Sequence, residues 1–182
     1  MTIKKVGVVG SGLMGRGIVE VCARSGYDVV LVASRDESLQ RGLKILESSF
    51  ARALEKGRST LEETNTAQSH IKGTTKSDDL KDCDFVIESV NENMDLKRKV
   101  FIDLDKVCPP HAILATNTSC LSVMEIASTT QRPDKVLGLH FFNPVPMMKL
   151  VEIVKTFTTS EETLATSEKF AKSLGKETLQ VT

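Results

Sequence analysis

The sequence has no surplus of charge of either sign: Lys and Arg number 24, Asp and Glu 24. A dedicated nucleic-acid-binding domain carries a basic excess, so that class is disfavoured. There is no run of about 18 apolar residues, the length a membrane-crossing helix needs. The opening Met1-Thr2-Ile3-Lys4-Lys5 runs directly into an apolar stretch and does not have the build of a signal peptide. Cysteine is sparse. Cys22, Cys83, Cys108 and Cys120 are irregularly spaced and form no C-x-x-C pair, so no metal site is expected. They read as reduced thiols of a cytoplasmic protein. Asn117-Thr118-Ser119 matches a glycosylation sequon, but without secretion that reading fails. Repeats and low-complexity tracts are absent, and histidine occurs only three times. What remains is a chain of 182 residues, 40% hydrophobic, enough for one domain with a proper core.

The informative stretch is Lys4 to Gly17, KKVGVVGSGLMGRG. An apolar run, Val6 to Val9, leads into Gly10-Ser11-Gly12-Leu13-Met14-Gly15, and a helix-compatible segment follows. This is G-x-G-x-x-G between a strand and a helix, the context in which it reads as a dinucleotide-binding turn. Gly10 permits the tight turn, Gly12 lets a pyrophosphate approach the backbone, and Gly15 lets the helix pack against its strand. The helix start offers unpaired N–H groups to the phosphates. Ser25-Gly26 stops the helix, and Tyr27 to Val32 forms a second strand. That order implies parallel pairing and a right-handed crossover. Such a fold usually ends its second strand in Asp or Glu, which holds the ribose hydroxyls of NAD. Here the position is Ala33, followed by Ser34 and Arg35. Without the acid and with a guanidinium, the edge would accept the 2′-phosphate of NADP. Alternatively, Arg35 is a solvated residue and NAD binds without its usual acid. NADP is slightly favoured over NAD.

Asp36 to Lys56 reads as a long helix with Leu39, Leu43, Leu46, Phe50 and Leu54 on one stripe. Thr60-Leu61-Glu62-Glu63 is a capping box that starts a second helix, ending near Ile71. A helical hairpin therefore follows the second strand. Ser49 and Lys56, two turns apart, share roughly one helix face, which suits a long anionic ligand or simply solvent. Further strands are expected near Lys72–Thr75, at Asp84–Ser89, Ala112–Thr116 and Val136–Leu139, with a helix carrying Leu96, Val100, Leu104 and Val107 inward. The expected fold class is α/β: a doubly wound, mostly parallel sheet.

His70 closes a polar helix and His111 follows two prolines. His140 alone stands at a strand's C-terminal edge, between Leu139 and Phe141-Phe142-Asn143-Pro144. An imidazole there can take an alcohol proton near neutral pH, or can be a satisfied structural histidine. Lys149 to Val154 is a strand, apolar on both faces except for Glu152. A carboxylate in that setting wants a partner, and an imidazole twelve residues upstream would make an oriented base.

Together these residues resemble the L-3-hydroxyacyl-CoA dehydrogenase family, which includes 3-hydroxybutyryl-CoA dehydrogenases. GSGLMGRG, SVNENMDLK, ATNTSC, GLHFFNPVPMMKLVEIV and LGK follow the family's order across the whole chain. HFFNPV with the downstream LVE is more specific than the glycine motif. The resemblance implies a Rossmann-type domain over residues 1–182 and oxidation of (S)-3-hydroxyacyl-CoA, short-chain such as 3-hydroxybutyryl-CoA, to 3-ketoacyl-CoA. It implies that His140 is the general base, Glu152 its partner, and Ser119 a contact to substrate and nicotinamide. It places Asn143 beside the cofactor and Glu92 and Lys97 on the cofactor's far side. The loop Gly10, Ser11, Gly12, Leu13, Met14 and Gly15 would hold the pyrophosphate, and Ser49 and Lys56 would hold coenzyme A. Ala33 departs from the family's usual ribose acid. The family continues into a helical C-terminal domain that supplies a further active-site Asn and the dimer interface. The chain is therefore expected to be the N-terminal part of a homodimeric enzyme, weakly active or inactive alone. The alternatives are a cofactor-binding module without chemistry and a dehydrogenase of free 3-hydroxy acids.

Overall fold

The apolar run after Lys4 becomes β1 (Lys5–Val9), and the glycine turn delivers α1 (Leu13–Arg24). The computed structural model describes residues 2–181; Met1 and Thr182, the two ends of the expected 1–182 domain, lie outside the described residues. The chain continues through β2 (Asp28–Val32), α2 (Asp36–Glu55), α3 (Leu61–Ser69) and β3 (Ile71–Thr74). Then come β4 (Phe85–Glu88), α4 (Met94–Val107), β5 (Ile113–Thr116), α5 (Val123–Ala127) and β6 (Val136–Phe141), and finally β7 (Leu150–Val154), α6 (Glu161–Ser173) and β8 (Glu177–Val181).

The strands form one sheet in the order β3-β2-β1-β4-β5-β6-β7-β8. The first six are parallel; β7 runs antiparallel to β6, and β8 runs parallel to β7. Near-continuous apolar strands are what a sheet covered on both faces requires. Alternate residues of each strand accordingly feed two cores. Val6, Val8, Phe85, Ile87 and Ile113 pack with Ile18, Leu46, Phe50 and Phe170 on one side. Val30, Val86 and Leu114 pack with Phe101, Leu104 and Ile126 on the other. The fold is Rossmann-like. Because the parallel strands all point one way, Val9, Val32, Glu88, Thr116 and Phe141 end along one edge, where such sheets bind ligands.

Two helices occupy the crossover from β2 to β3. The second begins with a complete capping box: Thr60 Oγ1 accepts from the Glu63 amide, and the Glu63 carboxylate accepts from the Thr60 amide. Ile71, expected at a helix end, opens β3 instead.

The α4 face differs from the expected stripe. Its buried residues are Lys97, Phe101 and Leu104, while Leu96 is exposed and Val100 and Val107 sit at the margin of the core. Lys97 is turned inward because a carboxylate, Glu88, waits inside the sheet edge.

Candidate active site at the sheet edge

The glycine turn is shaped by close approaches. Gly10 has φ of +116°, and a Cβ there would lie 2.4 Å from the Ser89 carbonyl oxygen. A Cβ on Gly15 would lie 1.8 Å from the Gly10 carbonyl oxygen, so only glycine lets α1 start here. Gly12 is different: nothing lies within 4 Å of the place a Cβ would take. That open face is the cradle a pyrophosphate needs. Gly12 is also the N-cap of α1 and brings no side chain, and no acid sits in the first turn, so the helix's positive end is uncompensated. These residues fit a dinucleotide. The Ser11 hydroxyl donates instead to the Ser38 carbonyl at the start of α2, and the Arg16 guanidinium holds the Ser11 carbonyl at 2.8 Å. Leu13 is exposed beside the turn, and Met14 packs against the core.

At the end of β2, Ala33 is buried and its amide donates to Thr74. Ser34 and Arg35 are exposed, and Arg35 makes no ion pair among the described residues.

The imidazole and its partner come from register. In the antiparallel β6–β7 pair, His140 stands directly opposite Glu152. His140 Nδ1 lies 2.9 Å from Glu152 Oε2, with both side chains partly buried. The Phe142 ring packs on the imidazole at 4.5 Å between centroids. The tautomer that donates from Nδ1 to this carboxylate leaves the Nε2 lone pair free.

A second network lies between the ends of β4 and β5. Glu88 has no exposed surface, and its carboxylate accepts from Lys97 Nζ at 2.8 and 3.0 Å, from the Thr116 hydroxyl at 2.7 Å and from the Val90 amide at 2.6 Å. Lys97 Nζ also lies 3.2 Å from Glu92. Glu92 in turn accepts from the Ser119 amide at 2.8 Å, the Thr118 hydroxyl at 2.8 Å and the Ser119 hydroxyl at 3.3 Å. Burial pushes the Glu92 carboxyl up, but the donors from Ser119, Thr118 and Lys97 outweigh it and hold the group below its ordinary value. Glu92 and Ser119, expected at different parts of the cofactor, are in direct contact here. Lys97 does not fit the role of a direct cofactor contact: its ammonium is sealed inside, and it reaches the ligand edge only through Glu92.

A cavity of about 510 Å³ opens between α1, α2 and the loop after β6. Ser49 and Lys56, expected as a pair for coenzyme A, both line it, and so does Asn143, expected beside the cofactor. Arg16, Arg24, Arg52, Lys56 and Arg58 stand around it against a single acid, Glu20. Glu20 is already engaged, by Arg24 Nε at 3.0 Å and by the Ser49 hydroxyl at 2.8 Å. Leu13, Pro144, Val145, Pro146 and Met147 add an apolar wall. A long ligand with anionic and apolar parts suits this lining.

Reasoning from sequence missed Glu88 and Glu20. Glu88 had a signal, a lone acid closing the apolar strand Phe85-Val86-Ile87. Glu20 had only its place among buried residues of α1.

The family model described as "3-hydroxyacyl-CoA dehydrogenase, NAD binding domain" matches residues 5–182. The chain is 45% identical over 172 residues to a 3-hydroxybutyryl-CoA dehydrogenase of Clostridioides difficile, covering 94% of this chain and 61% of that protein. It is 42% identical to a probable 3-hydroxybutyryl-CoA dehydrogenase of Bacillus subtilis, covering 100% of this chain and 63% of the relative. Among solved structures, an (S)-3-hydroxybutyryl-CoA dehydrogenase from Ralstonia eutropha superposes with a TM-score of 0.97 at 42% identity, over 99% of this chain and 64% of that one. The chain thus spans less than two thirds of the length of these relatives.

Proposed function

The chain belongs to the 3-hydroxyacyl-CoA dehydrogenase family, as its NAD-binding domain, and on that premise we propose that it serves the reversible oxidation of (S)-3-hydroxyacyl-CoA, short-chain such as 3-hydroxybutyryl-CoA, to 3-ketoacyl-CoA. The observation that carries this reading is the His140–Glu152 pair, set at the same sheet edge as the open glycine turn. NAD(P), when bound, supplies the hydride acceptor.

The chain's own residues do the rest. Glu152 fixes the imidazole so that Nε2 of His140 accepts the proton of the substrate hydroxyl, and its charge stabilises the imidazolium that forms. In the reverse direction the imidazolium returns that proton to the carbonyl oxygen. Ser119, held by Glu92, contacts substrate and nicotinamide, and Asn143 lies by the cofactor. The turn Gly10–Gly15 and the positive end of α1 bind the pyrophosphate. The 510 Å³ cavity takes coenzyme A, with Ser49 and Lys56 among its contacts and the surrounding arginines offsetting its phosphates.

At the β2 edge, the missing acid and the exposed Arg35 support use of NADP. The partners are an acyl-CoA and, for the whole enzyme, a second subunit joined through a helical domain outside these residues. A cytoplasmic setting accords with four free cysteines. No helix among the described residues is long and apolar enough to cross a membrane.

The test is turnover of acetoacetyl-CoA with reduced cofactor by the complete enzyme. His140→Ala lowers it by about two to four orders of magnitude, the usual worth of a general base. A loss under about tenfold removes His140 from that role.

A further inference from the structure

Lys176 lies between α6 and β8 and is 7% exposed. A buried ammonium ordinarily faces a carboxylate. This one does not: among the described residues no carboxylate lies within ion-pair distance, and the one titratable neighbour that bears on it is the buried thiol Cys22 of α1. Burial accordingly holds its pKa below the ordinary lysine value. Its donors go to backbone instead, to the Val145 carbonyl at 2.5 Å and the Met148 carbonyl at 2.8 Å. Both carbonyls belong to the loop that follows His140 and walls the cationic cavity.

The same loop also packs against α1. Val145 is buried against α1, where a Cβ on Gly17 would come within 2.8 Å of Val145 Cβ. Within the loop, the Met147 and Met148 amides both donate to the Pro144 carbonyl at 2.9 Å. The Asn143–Met148 segment is therefore a short, internally closed turn, held through two carbonyls by the Lys176 ammonium and packed against α1 at Gly17.

We infer that Lys176 is a positioning residue of the acyl-CoA cavity, whose ammonium holds the Asn143–Met148 wall at a set distance from α1. The inference rests on the proposed function for the identity of the ligand, though not for the tether itself. It explains why a cation stands unpaired by acid at this point. A carboxylate partner would satisfy the ammonium alone, whereas two carbonyls spaced along one loop fix the loop. Gly17 is the complement, since any side chain there would push the wall outward.

The experiment compares wild type, Lys176→Met, Lys176→Arg and Gly17→Ala in this chain. It measures dissociation constants for NADH and, at saturating NADH, for acetoacetyl-CoA, together with amide hydrogen exchange at Met147 and Met148. Lys176→Met weakens acetoacetyl-CoA by about tenfold or more, as a small misplacement of a binding wall does, and speeds exchange at both amides. NADH affinity stays within about twofold, because Lys176 grips the loop at Val145 and Met148, beyond Asn143, and the pyrophosphate contacts lie on the glycine turn. Lys176→Arg, which keeps charge and donors, restores most of the affinity, and Gly17→Ala reproduces the selective loss. Unchanged acetoacetyl-CoA affinity in Lys176→Met overturns the inference. So does a parallel loss of both affinities with lowered thermal stability, which marks a residue that only holds the fold. If wild type binds NADH but not acetoacetyl-CoA, the functional reading falls. The tether is then judged by exchange alone, and unchanged rates at Met147 and Met148 refute it.

Discussion

Lys97→Met removes the one cation inside the β4–β5 network. Glu88 then keeps a charge with no exposed surface and only two donors, the Val90 amide at 2.6 Å and the Thr116 hydroxyl at 2.7 Å. Breaking a buried pair from one side costs about 3–5 kcal/mol, because the survivor is left uncompensated. The two remaining hydrogen bonds place this site at the low end, about 3 kcal/mol. For a domain of this size that lowers Tm by about 6–12 °C. The companion variant is Glu88→Gln with Lys97→Met, which neutralises both ends. It recovers about 1–2 kcal/mol relative to the sum of the single changes, since two buried charges disappear together. Urea unfolding of the four proteins, wild type included, closes the cycle. The reasoning fails if Lys97→Met loses under about 1 kcal/mol, or if the double variant is as unstable as the sum of the singles. The same substitution removes the ammonium that faces Glu92, so under the proposed function it also weakens cofactor binding.

Three further outcomes follow from the geometry. Fluorescence titration gives tighter NADPH than NADH, and Arg35→Ala weakens NADPH by about tenfold while leaving NADH unchanged; tighter NADH in the wild type defeats that reading. Iodoacetamide on the native chain at neutral pH modifies exposed Cys120 and spares Cys22, Cys83 and Cys108, read by peptide mass spectrometry. Burial pushes the Cys83 thiol up to about 12 and the Cys108 thiol to about 11, and raises Cys22 further still. Acidification tests Glu92, whose folded carboxyl titrates below its ordinary 4.5. Its stabilisation is present above pH 4.5 and is lost as pH falls through the folded value, because the unfolded chain takes up the proton first. The drop in urea midpoint between about pH 6 and about pH 3.5 is therefore smaller in Glu92→Gln than in wild type.

Local chemistry was legible and distant partnership was not. The glycine turn, the Thr60–Glu63 box and the end of β6 are all written within a few residues, and each appears where its pattern places it. His140 and Glu152 could be paired because the prolines between them turn the chain and the second strand carries one acid. Lys97 was different. On a helix wheel a lysine in the first turn reads as a surface group, and Leu96 with Val100 offers a plausible apolar stripe. What turns Lys97 inward is Glu88, nine residues earlier on another element, and nothing in the α4 pattern records it. Ser49 likewise shares its hydroxyl with Glu20, 29 residues away, and Lys176 grips carbonyls about 30 residues upstream. Strand direction was equally hidden: the reversal at β7 depends on how the 142–149 loop folds back.

That reversal separates two tasks the chain could have combined. His140 and Glu152 face each other across the β6–β7 pair, so their spacing is a property of sheet register. Slipping β7 by one residue would swing Glu152 to the opposite face and bring Val151 or Ile153 against the imidazole. The loop between the strands adds only Phe142, whose ring packs on the imidazole. The side chains of Val145, Pro146 and Met147 can be exchanged to reshape the cavity wall while the His140–Glu152 spacing is kept. The shape of the cavity can thus vary along Val145–Met147 without moving that pair.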